Sequence, residues 1–461
     1  MENNKYSKVA AMSTVIANMI GVGVFSSLGF QVIPFENGGI PDGFTILFIW
    51  LVGGLIALCG AFTYSEVATT LKRSGGEYVY LSKLYHPSIG FASGWISLVV
   101  GFAGAIASAG LAIGKYSAPA LGVDVSKEIG LLGFELSIQK IIAISIILFL
   151  SLVHLNGTKV GGLVQSVLTA FKIALILVFC LAPFFILPAD LPLANSLSPS
   201  DTSLSIIFSF SFASALVWVM YAYSGWNAVV YIAGNVENPI KTIPFVLIGG
   251  TLIVTILYVF LNASFMSVST FEEMAGKEDI GNIVALKLFG DSYGAVFSAI
   301  FSFALFSTMS AMIIAGPRVS EQIGNDFSFF KKIAIKNQSG TPIYAILLQA
   351  LISIVLVLFS TFQELIQTLG ITLSFFSLLT VIGIFIIRKR YSEEERPVKT
   401  WGYPFTPIIF ILATGWMIFS FALMDPMKIW YAVFAIVPGI FVYFILQKKK
   451  NKHPNEEFLS K

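Results

Sequence analysis

Two short stretches place polar and backbone chemistry inside otherwise apolar sequence. Ile20-Gly21-Val22-Gly23-Val24-Phe25 sets two glycines one residue apart within an apolar run, and Tyr221-Ala222-Tyr223-Ser224-Gly225-Trp226-Asn227 interrupts another run with Ser, Gly and Asn. Glycine weakens a helix interior by about 1 kcal/mol relative to Ala, and Ser and Asn side chains compete for backbone hydrogen bonds. Both stretches therefore predict a broken helix. Close helix packing by small residues is the alternative for either one taken singly. A half-helix ending near Met19 and Ile20, or near Tyr221, Ala222 and Tyr223, would aim free carbonyls at a cation. One starting near Val22–Val24 would aim free N–H groups and a positive dipole end at an anion, and Gly21, Val22 and Gly23 are candidate binding residues there. Side by side, these ends suit the α-ammonium and α-carboxylate of an amino acid without any charged side chain. Ser224 and Asn227 complete the candidate binding set, and Tyr221 and Trp226 are candidate gating aromatics, with plain aromatic packing as the other reading.

Two ionisable residues lie within apolar sequence. Lys172 sits in Leu168-Thr169-Ala170-Phe171-Lys172-Ile173-Ala174, too far from either end of its run to snorkel easily. An ionisable residue at that depth is a functional candidate by default. Glu66 lies about one turn from a basic loop, where a structural role holding Lys72, Arg73 or loop backbone is expected. His86, His154 and His453 are scattered without metal-ligand spacing, and Cys59 and Cys180 fall in apolar runs, so neither a metal, a cofactor nor a disulfide is expected.

The elements that hold these residues follow from composition. Of 461 residues 56% are hydrophobic and 11% charged, with a mean hydropathy of +0.84. Soluble domains carry about 25% charged residues, so lipid is the solvent this surface fits. A net charge of +3 is too small for a phosphate-neutralising surface. Twelve apolar segments are expected, near 9–33, 44–69, 88–119, 138–156, 161–187, 205–236, 242–266, 292–316, 342–360, 365–387, 405–424 and 427–447. The first is too long for a removed signal and reads as a span. With both termini on one side, the opposite side receives only Lys115, Lys127, Lys140, Lys277, Lys287 and Lys428 of the 28 Lys and Arg residues, Lys172 lying within a span. The positive-inside rule places the termini in the cytoplasm. The two broken segments each open a block of five spans, 9–187 and 205–389, followed by two more spans at 405–447 and a tail at 448–461. Five is odd, so the second block runs inverted, and paired breaks in inverted blocks point to a transport site at the membrane midplane.

At this point the residues resemble a known family, the amino acid–polyamine–organocation superfamily, especially its bacterial and LAT-like amino acid permeases. Gly21-Val22-Gly23-Val24-Phe25 is similar to its first-helix G-[SA]-G-I-F signature, and Tyr64-Ser65-Glu66-Val67 through Ser74-Gly75-Gly76-Glu77-Tyr78 to its Y-A-E-L…S-G-G-E-Y pattern. Tyr221 to Asn227 resembles the F-A-Y-G-G-W-N break, Asn238-Pro239 and Pro244 the N-P…P after it, and Ser310-Ala311-Met312 to Gly316-Pro317-Arg318 the eighth helix. The resemblance implies an all-α, LeuT-type 5+5 inverted fold with two extra helices. In several family members a fifth-helix Lys fills the sodium place of sodium-coupled relatives, which would set Lys172 against carbonyls near Ile20 and Gly21 and hydroxyls such as Ser307 or Ser310. Val22 departs from the small hydroxylated residue often found there, and Gly234 and Asn235 stand where LAT-like members carry acids. The loop near 120–137 has no Cys, so no heavy-chain partner is expected.

The expected function is transport of amino acids, neutral ones by preference, across the cytoplasmic membrane by alternating access, coupled to H⁺ through Lys172. A proton-independent exchanger is the alternative, then a cationic amino acid or polyamine transporter. An enzyme would need clustered acids or His near one face, and a sensor an attached soluble domain; the sequence offers neither.

Overall fold

A computed structural model describes residues 5–34, 38–40, 42–131, 134–155, 161–186, 195, 197–199, 203–337 and 340–450. His453 and residues 451–461 of the expected tail lie outside them. Ser7 caps α1 (Lys8–Met19), its side chain accepting from the Ala10 amide. After a break comes α2 (Val22–Gln31). Asp42 caps α3 (Gly43–Leu71), which ends at Lys72 in the left-handed region. The short α4 (Glu77–Leu84) leads to α5 (Pro87–Ile96), and a π-turn over Ser97–Phe102 joins α5 to α6 (Ala103–Leu121). A hairpin of β1 (Glu128–Leu131) and β2 (Phe134–Ser137), in antiparallel register Glu128 to Ser137, precedes α7 (Ile138–Leu155) and α8 (Gly161–Ile186). The chain is otherwise helical, as an all-α membrane protein is expected to be, and this hairpin lies between the helices on either side of it.

The second half opens with α9 (Ser203–Ile207) and α10 (Phe210–Tyr223), the latter capped by Ser209. A 3₁₀ segment, Ala228–Asn235, follows the second break. Then come α11 (Pro239–Val268), α12 (Phe271–Met274), α13 (Ile280–Phe289) and α14 (Asp291–Asp326). A 3₁₀ segment, Ser328–Ala334, leads to α15 (Ile343–Phe359), and α16 (Phe362–Arg390), α17 (Phe405–Met424) and α18 (Pro426–Lys450) complete the chain. Thr270 and Thr361 start α12 and α16 with reciprocal capping boxes.

Among the described residues, 11 helical stretches are long and apolar enough to cross a membrane, with α1 and α2 counted together. Of the twelve segments expected, the one at 342–360 forms the shorter α15, 17 residues long. The packing is that of a lipid-solvated protein. Bulky side chains such as Phe184 (79% exposed) and Phe185 (83%) face outward, while Trp50, Tyr64, Tyr116, Tyr223 and Tyr258 are sealed between helices. The buried phenols have destinations: Tyr258 donates to Met19 O, Tyr223 to Trp50 O and Tyr116 to Phe25 O. These bonds orient α1, α2, α3, α6, α10 and α11 about the two breaks.

Glu66 is fully buried on α3, and its side-chain partners are arginines other than Arg73. Arg388 Nη2 and Arg396 Nη1 donate to its carboxylate at 2.8 and 2.7 Å, and the Thr400 amide donates at 2.7 Å. Arg388 also stacks over Tyr403, 3.5 Å from the ring centroid. Arg73 pairs instead with Asp326 at 3.0 Å, and Lys72 is the left-handed cap of α3. The carboxylate thus ties α3 to the end of α16 and to the loop before α17. Removing one member of a buried ion pair costs about 3–5 kcal/mol, because the partner charge stays buried. Glu66→Ala is expected to lower the thermal unfolding midpoint of detergent-solubilised protein far more than Glu393→Ala, which removes an exposed pair with Lys399. Equal midpoints for the two variants would overturn the assignment.

Candidate functional site

The first break lies where the sequence places it. α1 stops at Met19, Ile20 turns away with φ −73° and ψ 91°, Gly21 is extended, and α2 begins at Val22. The first-turn amides of α2 therefore have no preceding helical carbonyls. The last carbonyls of α1, expected to be free for a ligand cation, instead accept from the protein itself. Lys172 Nζ donates to Ile20 O at 3.2 Å and to Ala17 O at 3.5 Å, and Tyr258 donates to Met19 O at 2.6 Å. An ammonium does meet the helix end, but it is the lysine's own.

Lys172 is 1% exposed, and its third partner is Thr308 Oγ1 on α14, at 2.7 Å. Thr308 also donates to Ile20 O at 3.3 Å. The expectation that Ser307 or Ser310 would take this place is corrected by helical phase. Each residue along α14 turns about 100°, so only Thr308 faces the lysine. Ser307 bonds back to Ala304 O at 2.8 Å, and Ser310 pairs with His154 Nε2 at 2.9 Å.

The second break is built differently. α10 ends at Tyr223, the Ser224 amide donates to Tyr221 O at 2.9 Å, and Gly225 adopts φ +91°. Beyond it the backbone continues as 3₁₀ turns, with Ala228 N donating to Gly225 O at 2.9 Å. Only glycine reaches that φ cheaply. A Cβ on Gly225 would also lie 2.9 Å from the Asn18 backbone. Gly23 needs its missing side chain for the same reason, since a Cβ there would sit 2.6 Å from Ala222 Cα. The two breaks are in direct contact.

Beside them opens a small cavity of about 110 Å³. Its wall takes Thr14 and Asn18 from α1, Tyr221, Ser224, Trp226 and Asn227 from the second break, and Ser93 and Ser97 from the α5 region. Of the expected binding residues, Tyr221, Ser224 and Asn227 reach this wall, and the gating candidate Trp226 does too. Met19, Ile20, Gly21, Val22, Gly23, Ala222 and Tyr223 lie behind it, because Gly23 packs on Ala222 and fills the space between the breaks. Tyr221 pairs with Ser108 on α6 at 3.1 Å and bounds the cavity there. Trp226 stands edge-on to Tyr64, ring centroids 4.7 Å apart, against Gly60. Sequence reasoning missed Glu77, which lines the cavity and accepts from Asn227. An acidic residue directly after Ser74-Gly75-Gly76, in a charge-poor chain, was the available signal.

The cavity wall includes Thr14 and Asn18, before the first break, and Ala228, Tyr231 and Ile232, after the second. Beyond the first break α2 is tied to the segment around 276–281: Gly276 N donates to Gly29 O at 2.8 Å, Gly281 N to Tyr116 Oη at 3.2 Å, and the Ser26 hydroxyl bonds Glu278 O. Burial pushes the Glu278 carboxyl above the usual glutamate range, opposed by a 3.3 Å hydrogen bond from Gln139 and by Lys115 nearby.

Two expectations follow. Gly225→Ala adds both left-handed strain, about 1–3 kcal/mol, and a backbone clash. It should lower the unfolding midpoint well below that of Gly415→Ala, whose Cβ meets nothing within 4 Å; matching midpoints would contradict the strained turn. For Glu278 the folded carboxyl binds its proton more tightly than the unfolded one. Stability should therefore fall as pH rises above about 4.3, the ordinary glutamate value. Glu278→Gln should remove that decline and unfold at a higher temperature than the parent at neutral pH, as read by thermal scans across pH.

Comparison with known proteins bears on this geometry. A family model described as amino acid permease matches residues 6–446. The serine/threonine exchanger SteT of Bacillus subtilis (strain 168) is 29% identical over 444 residues, covering 95% of this chain and 96% of that protein. The human b(0,+)-type amino acid transporter 1 is 26% identical over 446 residues, covering 95% and 86%. The human cystine/glutamate transporter is 26% identical over 462 residues, covering 97% and 86%. With a family match across nearly its whole length and two touching helix breaks beside a lined cavity, the chain belongs to the amino acid permeases of the amino acid–polyamine–organocation superfamily, and is a multi-pass membrane transporter rather than an enzyme.

Proposed function

We propose that the protein moves neutral L-amino acids across the cytoplasmic membrane by alternating access, coupled to protons. Both termini face the cytoplasm on this reading, and α1–α8 and α9–α16 form inverted five-span blocks. The observation that carries it is the cavity beside the two touching breaks. Its hydroxyl and amide wall supplies partners for a zwitterion. Engaging the α-carboxylate at the amino end of α2 requires Ala222 to withdraw from Gly23, so substrate binding and movement of α10 are one event. Opening the far side requires α2 to leave Gly276, Glu278 and Tyr116.

Lys172 is the coupling group. Its described partners are two carbonyls and a hydroxyl, all neutral, so loss of its proton removes the charge that holds α1 to α14. H⁺ is the coupling ion, no cofactor takes part, and no heavy-chain subunit is needed. Tyr221 and Trp226 gate the cavity. A proton-independent exchanger is the second reading, favoured by the printed activity of the Bacillus subtilis relative. In that case Lys172 is a fixed charge. Uptake of labelled amino acids into proteoliposomes, with and without an inward proton gradient, separates the two. Gradient-driven accumulation is expected in the parent and should drop at least about tenfold in Lys172→Ala, while exchange against internal substrate persists. Full accumulation by the variant would overturn the coupling role.

A further inference from the structure

Glu77 opens α4 beside Gly76, and its side chain is buried at 4% exposure with no ion pair among the described residues. Three neutral donors converge on it instead: Tyr64 Oη at 2.8 Å and Asn227 Nδ2 at 2.5 Å on Oε1, and Tyr231 Oη at 2.5 Å on Oε2. Gly76 permits the approach, since a Cβ there would stand 2.5 Å from the Tyr231 ring. Among the described residues lining the cavity, no other Asp or Glu and no Lys, Arg or His is present.

An ionised carboxylate only accepts hydrogen bonds, whereas an asparagine amide has one donor end and one acceptor end. Glu77 therefore dictates which end of Asn227 is used up. Nδ2 turns to the carboxylate, and Oδ1 is left; no donor reaches Oδ1 among the described residues. Asn227 lies on the cavity wall at the second break, so an incoming side chain meets an acceptor backed by negative charge.

We propose that Glu77 is a positioning residue for substrate selectivity. By fixing Asn227 Oδ1 toward the cavity and keeping that wall negative, it makes the site favour amino acids whose side chain donates a hydrogen bond and reject those with an acidic side chain. The proposal rests on the transport reading above and names the substrate class within it. A glutamine at this position could donate to Asn227 Oδ1, letting the amide turn over and present its N–H₂. Its loss of charge would also lift the repulsion of anions.

The test is uptake of labelled serine, alanine and glutamate by the full-length protein in proteoliposomes, read as ratios within each variant. The parent should prefer serine to glutamate. Glu77→Gln should reduce that preference about tenfold, the worth of roughly one hydrogen bond. Glu77→Asp, which keeps the charge, should retain most of it. Asn227→Ala should lose the preference for serine over alanine yet still discriminate against glutamate. Where a variant transports too slowly, the midpoint shift that each amino acid gives in detergent reads the same ratios. Ratios for Glu77→Gln within about twofold of the parent would overturn the proposal, whatever its absolute rate. If the parent itself takes up none of the three, the transport reading fails instead.

Discussion

Everything near the centre of this molecule depends on one requirement: a peptide group stranded in hydrocarbon must find a partner inside the protein. Breaking α1 at Ile20 strands the last carbonyls of that helix, and their partners come from three separate elements. Lys172 arrives from α8, Tyr258 from α11 and Thr308 from α14. The break is therefore a junction through which four helices are held in register, and a cation at the junction is the strongest donor available for the purpose. The second break is satisfied locally, by 3₁₀ turns and a glycine in the left-handed region. One break is thus pinned by distant side chains and the other by its own backbone.

That difference explains what could be read from the sequence. Glycine, serine and asparagine in the middle of apolar runs announce a break through local energetics alone, and both breaks lie where those residues are. The depth of Lys172 was legible for the same reason, since an ammonium far from either span end has to be held by protein. Its partner was not. Ser307, Thr308 and Ser310 are equivalent in composition, and the choice among them is made by the rotation of α14 against α8. The partners of Glu66 were invisible for a stronger reason: Arg388, Arg396 and Thr400 are more than 300 residues away, whereas nearby Lys72 and Arg73 offered a cheaper guess. The hairpin before α7 and the 3₁₀ course of 228–235 were also missed, because period alone does not separate short alternating or tightly wound stretches from the ends of neighbouring spans.

The binding wall differs from the one inferred from helix ends alone. Backbone amides and carbonyls at the first break lie behind side chains in this state, and the exposed chemistry is supplied by Thr14, Asn18, Ser224 and Asn227. The carbonyls at the end of α1 are taken up by Lys172 and Tyr258, so the polar groups that face the cavity are those of side chains.

α15 has a consequence for the surrounding lipid. Its 17 residues span about 25 Å at 1.5 Å per residue, against about 30 Å for the hydrocarbon of an average bilayer. A helix shorter than the hydrocarbon is matched by local thinning of the bilayer, by flanking side chains that reach the interface or by association with a neighbour, each at a modest elastic cost. Any rearrangement that tilts α15 changes that mismatch, so the flank it forms couples the protein's conformation to the thickness of its lipid.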